Sequence, residues 1–181
     1  MLAQQMKTKR LTLAWANERD LPALEELERE CDAYFTFDPP SGAAHNRSLR
    51  ECLSVGDIIP GVSDDDYKRE NYQLYCVWKD DALLGWVSFY LEYHAKDAVY
   101  LSVAYIKEEF RAGGFGTEIM QALEYEFVTA GFKTIKTHCS LRNALSLKFL
   151  VKHGIDRIVE VECDGNLRPE NFGGIELMKT L

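Results

Sequence analysis

The sequence reads as an α+β domain in three layers. Helices cover both faces of a mixed, mostly antiparallel sheet of about seven strands, with about four helices in all. Three observations predict this. From Tyr72 to Ile106 apolar and polar residues alternate with period two, interrupted only at Asp80-Asp81 and from His94 to Asp97, which outlines an antiparallel meander. Helical stripes precede and follow that meander, each opened or closed by a residue suited to a cap. No repeat, low-complexity segment or long linker divides the 181 residues, so a single domain is expected over 1–181.

Taken in order, Thr8 to Trp15 alternates loosely and reads as a strand, and Asn17, Asp20 and Pro22 then mark a helix start. That helix is expected to run to about Tyr34, with Leu21, Leu24 and Leu27 on one face and Glu25, Glu26, Glu28, Arg29 and Glu30 around them. Phe37-Asp38-Pro39-Pro40-Ser41-Gly42 breaks it, and a shorter helix is expected from about Asn46 to Ser54, ended by Gly56 and Pro60-Gly61. The meander comprises Tyr72 to Lys79, Leu83 to Tyr93 and Ala98 to Ile106. From Thr117 to Ala130 the apolar residues Ile119, Leu123 and Phe127 fall four apart, and Gly131 stands where a C-terminal cap glycine belongs. A strand from Lys133 to Ser140 leads to a helix from Ala144 to His153, entered through Asn143 and closed by Gly154. Two last apolar runs, Ile155 to Cys163 and Gly174 to Thr180, flank the polar loop Asp164 to Phe172.

Composition narrows the function classes. Hydrophobic residues make up 46% and charged residues 28%, as in a globular protein with one sizeable core. No apolar run reaches the roughly 18 to 20 residues of a membrane helix, and MLAQQMKTKR lacks a secretion signal's apolar stretch, so no membrane partner and a cytoplasmic location are expected. The five cysteines (Cys31, Cys52, Cys76, Cys139, Cys163) are scattered and include no CxxC pair, which points to buried thiols rather than disulfides or a metal site. A net charge of -8 disfavours nucleic acid as a partner and weakly favours a cationic one such as an amine, although solubility alone explains the excess. The sequence does not fix the oligomeric state and is compatible with a homodimer.

The most informative stretch is Arg111-Ala112-Gly113-Gly114-Phe115-Gly116-Thr117-Glu118, lying between a strand and an amphipathic helix. Glycines let backbone approach a ligand closely, and a helix start offers free amides and a positive dipole end, so a phosphate cradle is one reading and a plain strand-to-helix turn the other. A Walker A loop is excluded because no Gly-Lys dipeptide occurs. A dinucleotide fingerprint using Gly114 and Gly116 finds Ile119 at its third glycine position. What remains, Arg111-x-x-Gly114-x-Gly116, resembles the R/Q-x-x-G-x-G/A signature of the GNAT superfamily of acyl-CoA-dependent N-acyltransferases. Tyr105 to Phe110 resembles the run before that arginine. Asn143 to Ile155 resembles the family's second motif, in which an asparagine begins a helix that ends in Gly-Phe; here Ile155 stands in place of the phenylalanine.

The resemblance implies a GNAT-like fold and acetyl-CoA as co-substrate, with no metal. It also implies an acetyl transfer to a primary amine of a small molecule or, alternatively, of a peptide or protein. Arg111, Ala112, Gly113, Gly114, Phe115, Gly116 and Thr117 would then hold the pyrophosphate. The backbone of Ala104 and Ile106 would pair with the pantetheine arm, and Asn143 and Ser146 would flank it. Asn143 reads equally as a helix N-cap.

Transfer from a thioester requires the amine to lose a proton, the carbonyl oxygen to find a donor such as an amide near Ile106, and the thiolate to be protonated. The family's usual acid, a tyrosine on the last helix, is replaced by Leu150 in this alignment, with Phe149 before it. Its absence supports a second reading, an acyl-CoA-binding sensor or regulatory domain with little catalysis. Candidate catalytic residues are Glu92 at the end of the third strand, Tyr100 on the fourth and His138 near the end of the fifth. Two have a structural alternative: a solvated strand-end charge for Glu92 and a packed sheet residue for His138. Cys139 beside His138 does not make a nucleophile pair, because neighbours in a strand point to opposite faces.

Overall fold

A computed structural model describes residues 2–34, 71–163 and 172–181. The helix expected near Asn46 to Ser54, most of the loop Asp164 to Phe172, and the aromatic and acidic residues around Phe35 to Asp38 lie outside the described residues. The described elements are β1 (Gln5–Lys7), β2 (Thr12–Trp15), α1 (Leu21–Tyr34), β3 (Tyr72–Lys79), β4 (Ala82–Leu91), β5 (Ala98–Ile106), α2 (Phe115–Thr129), β6 (Thr134–Ser140), α3 (Ala144–Lys152), β7 (Arg157–Cys163) and β8 (Phe172–Thr180).

They form an eight-stranded sheet ordered β1-β2-β3-β4-β5-β6-β8-β7, in which only β5 and β6 run parallel. The eighth strand comes from the amino terminus. Where one strand was expected from Thr8 to Trp15, the chain makes a hairpin, because the Thr8 amide donates to the Leu11 carbonyl and the Leu11 amide donates to the Thr8 hydroxyl, which reverses it. Asn17 accepts from the Arg19 amide and Asp20 from the Asn17 amide, a capping box that starts a short 3-10 turn leading into α1. Gly131 and Gly154 stand at the ends of α2 and α3 with φ of 92° and 73°, as helix-terminating glycines do.

Two apolar clusters separate the layers. On one face Ile119, Met120, Leu123 and Phe127 of α2 and Leu150 of α3 pack on Val87, Phe89, Val99, Leu101, Ile135 and Leu177. On the other, Leu24, Leu27 and Cys31 of α1 cover Leu74, Cys76, Trp86 and Tyr105. Alternation along each strand therefore assigns every sheet residue to the α1 side or to the α2 and α3 side. Cys31, Cys76 and Cys139 are buried thiols. Among the described residues no helix is long and apolar enough to cross a membrane, and no cluster of metal-ligating side chains occurs.

Candidate active site

The site begins where β5 and β6 separate. They pair only from Ala98 opposite Thr134 to Tyr100 opposite Lys136. Beyond that point a register shift in β5, with Ser88 opposite Val103 and Phe89 opposite Leu101, turns the strand away. The Thr137 hydroxyl donates to the Leu101 carbonyl at 2.8 Å and closes the vertex of the split. Farther along, the Lys107 amide donates to Leu84 on β4. Backbone polar groups alternate sides along a strand, so those of Tyr105 face β4 and those of Ala104 and Ile106 face the split, where β6 no longer pairs.

The glycine stretch sits at the open end of this split. A 3-10 turn, Glu108–Phe110, delivers the chain to Arg111, whose Nε donates to the Ile106 carbonyl at 2.9 Å while its guanidinium lies over the Tyr105 ring at 5.3 Å. Arg111 thus braces the end of β5. Ala112 and Gly114 take left-handed φ of 60° and 79°, and Gly114 is the N-cap of α2. The first bond of α2 runs from the Glu118 amide to the Gly114 carbonyl, so the amides of Phe115, Gly116 and Thr117 are the unpaired donors of a helix start. Gly116 has a packing reason as well: a Cβ there would lie 3.0 Å from the Phe149 ring of α3. These free amides and the open edge of β5 fit a pyrophosphate followed by an extended amide-bearing arm.

Asn143 is buried, three residues past the end of β6, and caps α3 by accepting from the Ser146 amide at 3.0 Å. Ser146 is half-buried in the first turn of α3. Leu150 is only 5% exposed and belongs to the core, so the residue of this helix that reaches the Gly116 and Ile106 neighbourhood is Phe149. Neither carries a hydroxyl.

On the α1 side of the vertex the structure brings Tyr100 and His138 together. The Tyr100 phenol lies beside the His138 backbone, and its ring stacks on Tyr93 at 4.3 Å. Burial, with smaller contributions from Tyr93 and Glu176, pushes the Tyr100 phenol well above its ordinary value, so it stays protonated at neutral pH. His138 lies on Gly174 of β8, and its Nε2 is 3.1 Å from Glu162 Oε2 of β7. Glu176 is the cross-strand neighbour of His138, and Glu176 Oε1 is 3.1 Å from Lys136 Nζ. Cys139 packs into the core on the opposite face, which separates its thiol from the His138 ring. Glu92 is not part of this group. It is exposed in the turn after β4, with φ 58°, beyond the Leu91–Val99 pair and away from the split.

Sequence reasoning missed Glu162, Glu176 and Lys136, which reach His138 and Tyr100 only through strand register. It also missed Arg10. From the β1–β2 turn, Arg10 donates through Nε to Glu118 Oε2 at 2.7 Å, through its backbone amide to Glu118 Oε1, and through Nη1 to the Gly113 carbonyl at 2.9 Å. Its guanidinium covers the Phe115 ring at 4.3 Å, and the Thr8 hydroxyl is hydrogen-bonded to the same Glu118. Partial burial works against the Glu118 charge, but the bonds from Thr8 and Arg10 prevail and hold its carboxyl below the usual range.

The fold is similar to those of known acetyltransferases. The ribosomal L7/L12 α-N-protein acetyltransferase RimL in complex with coenzyme A superposes with a TM-score of 0.71 at 15% identity, covering 98% of this chain and 98% of that one. An acetyltransferase from Thermus thermophilus gives 0.68 at 16% identity, over 97% and 100% of the two chains. The microcin C7 self-immunity acetyltransferase MccE, in complex with acetyl-CoA and AMP, gives 0.68 at 16% identity, over 96% and 93%. No curated protein matches in sequence. The model of the acetyltransferase (GNAT) family matches residues 21–155, well over half of the chain and including both the glycine loop and the Asn143 helix, and the chain belongs to that family.

Proposed function

We propose that this protein is an N-acetyltransferase that passes an acetyl group from acetyl-CoA directly to a primary amine of a small molecule. The observation that carries the reading is the split between β5 and β6, with free helix-start amides at its open end and a polar cluster on the far face of its vertex. Acetyl-CoA, when bound, supplies the acyl group as a thioester. The amides of Ala112 to Thr117 bind its pyrophosphate, and the backbone of Ala104 and Ile106 orients the pantetheine arm through strand-like hydrogen bonds. An amide of this open edge donates to the carbonyl oxygen as charge develops there. Asn143 and Ser146 border the arm from α3.

On the acceptor side His138 takes the ammonium proton, with Glu162 holding the imidazole in place. Tyr100, kept neutral by burial, acts as a hydrogen-bond donor and not as a base. The carboxylates of Glu162 and Glu176 attract a cationic amine to this face. Glu92 plays no part in this scheme.

A second reading, an acyl-CoA-binding sensor with little turnover, draws support from the apolar Leu150 and Phe149. Both readings are tested by mixing the protein with acetyl-CoA and a panel of small amines, polyamines and peptides with free amino termini, following thiol release and acetylated product. Turnover on a small amine is expected. Product only from peptides moves the acceptor to the peptide class, and tight CoA binding without thiol release on any acceptor overturns the enzyme reading.

A further inference from the structure

A peptide between two glycines, such as Gly113–Gly114, turns over at little steric cost. Gly114 has φ 79°, and rotating the peptide between two glycines by about half a turn exchanges that value for a negative φ that glycine adopts as readily. In a trans peptide the C=O and N–H point in opposite directions. One orientation therefore aims the Gly114 amide, and the other the Gly113 carbonyl, at whatever occupies the mouth of α2. The first attracts an anion and the second repels it.

We infer that Arg10 is a positioning residue for the phosphate loop: by holding the Gly113 carbonyl on its own side through Nη1, it locks the Gly113–Gly114 peptide with its amide turned toward the cofactor phosphates. This rests on the reading of the loop as the CoA pyrophosphate site. The guanidinium is itself fixed by Glu118 on its Nε edge and by the Phe115 ring beneath it, and the Arg10 backbone amide donates to the same Glu118. Glu118 in turn is held by the Thr8 hydroxyl. The β1–β2 turn thus acts as a clasp on the start of α2. Arg111 is engaged elsewhere, its Nε donating to the Ile106 carbonyl and its guanidinium lying over the Tyr105 ring.

The test compares acetyl-CoA with S-acetylpantetheine, which has the same thioester but no phosphate, in the wild type, Arg10→Met and Gly114→Ala. Arg10→Met keeps an unbranched stem on Phe115 and removes the donor. Gly114→Ala favours the turned-over peptide by disfavouring positive φ. Arg10→Met is expected to raise the KM for acetyl-CoA about tenfold while leaving kcat/KM for S-acetylpantetheine within about twofold, since one charge-assisted hydrogen bond is at stake, and Gly114→Ala is expected to raise the KM for acetyl-CoA in the same direction. Arg10→Met binding acetyl-CoA as tightly as wild type overturns the inference. A parallel loss on both donors overturns it too, because that is the signature of a general folding defect, and a lowered Tm without ligand would accompany it. A wild type that does not distinguish the two donors would instead refute the phosphate-loop reading itself.

Discussion

Gly174→Ala tests the acceptor side of the site through a residue that carries no chemistry. His138 rests directly on Gly174, and a Cβ there would fall inside the van der Waals envelope of the imidazole, with the Cys139 carbonyl 3.2 Å away on the other side. The backbone cannot yield, so the ring must. Reaching ordinary contact requires it to retreat by more than about 1 Å, and a misplacement of about 1 Å already costs on the order of a hundredfold in rate when it separates a base from its proton. The same retreat stretches the 3.1 Å contact between His138 Nε2 and Glu162 Oε2. In thiol-release kinetics on the best amine, kcat should fall about a hundredfold. Affinity for CoA by calorimetry should hold, because Gly174 lies on the α1 face and the glycine loop opens α2 on the other. His138→Gln should be as slow as Gly174→Ala, and the double variant no slower than either. Retention of kcat within about threefold in Gly174→Ala, with the imidazole demonstrably displaced, would refute His138 as the base.

Tyr100→Phe should lower kcat yet leave the shape of the pH–rate profile between about pH 6 and 9 unchanged, because the buried phenol does not ionise in that range; disappearance of a limb of the profile would contradict this. His153, whose Nε2 is 3.3 Å from the Thr117 hydroxyl, has its pKa lowered by burial first and by Lys152 and Lys179 after it, partly opposed by Glu124. The folded state then binds fewer protons at this residue than the unfolded chain. Its stabilising contribution is present above the unfolded value near 6.5 and is lost as pH falls below that value and through the lower folded one. Thermal unfolding at about pH 7.5 and 5.5 should show a smaller acid destabilisation in His153→Gln than in wild type, and an equal loss in both would refute the assignment.

What could be read from the chain depended on how local each signal was. The glycine loop, the Asn143 cap and the terminating glycines at 131 and 154 are settled within a few residues by positive φ or by a side chain reaching its own backbone, and the sequence states them directly. The β1–β2 hairpin was hidden because Thr8 to Trp15 carries a strand-like pattern and no glycine or proline marks the reversal. A backbone amide-to-carbonyl bond and the Leu11 amide donating to the Thr8 hydroxyl make the turn instead. His138 could be nominated from its place near the end of a strand. Its partners could not, for Glu162 and Glu176 reach it through the register of β6 with β8 and of β8 with β7, and Gly174 makes room for its ring by the same register. Glu92 illustrates the converse. It sits at a strand end in the sequence, but at the end of the sheet away from the split.

The absence of a hydroxyl on Phe149 and Leu150 bears on rate in a bounded way. At pH 7 a thiol of ordinary pKa departs as thiolate at a cost of roughly 2 kcal/mol, whereas stripping a proton from a lysine-like amine costs roughly 4 to 5 kcal/mol. A well-placed acid can return no more than the first amount, while a base and its carboxylate address the second. Catalysis without the family's tyrosine is therefore feasible, provided that the His138 and Glu162 side is intact. Phe149 is the α3 residue beside Gly116 and Ile106, so Phe149→Tyr introduces a hydroxyl at the open edge of β5 with little change in volume. Leu150 is buried in the core, and a tyrosine there would have to displace it. Phe149→Tyr should raise kcat by no more than about thirtyfold, the rate equivalent of the thiolate term, with the KM for the amine unchanged. Single-turnover acetyl transfer measures this directly. A gain well beyond that ceiling would mean that thiolate departure, and not amine deprotonation, limits the wild-type protein, and the weight placed on His138 would then be wrong.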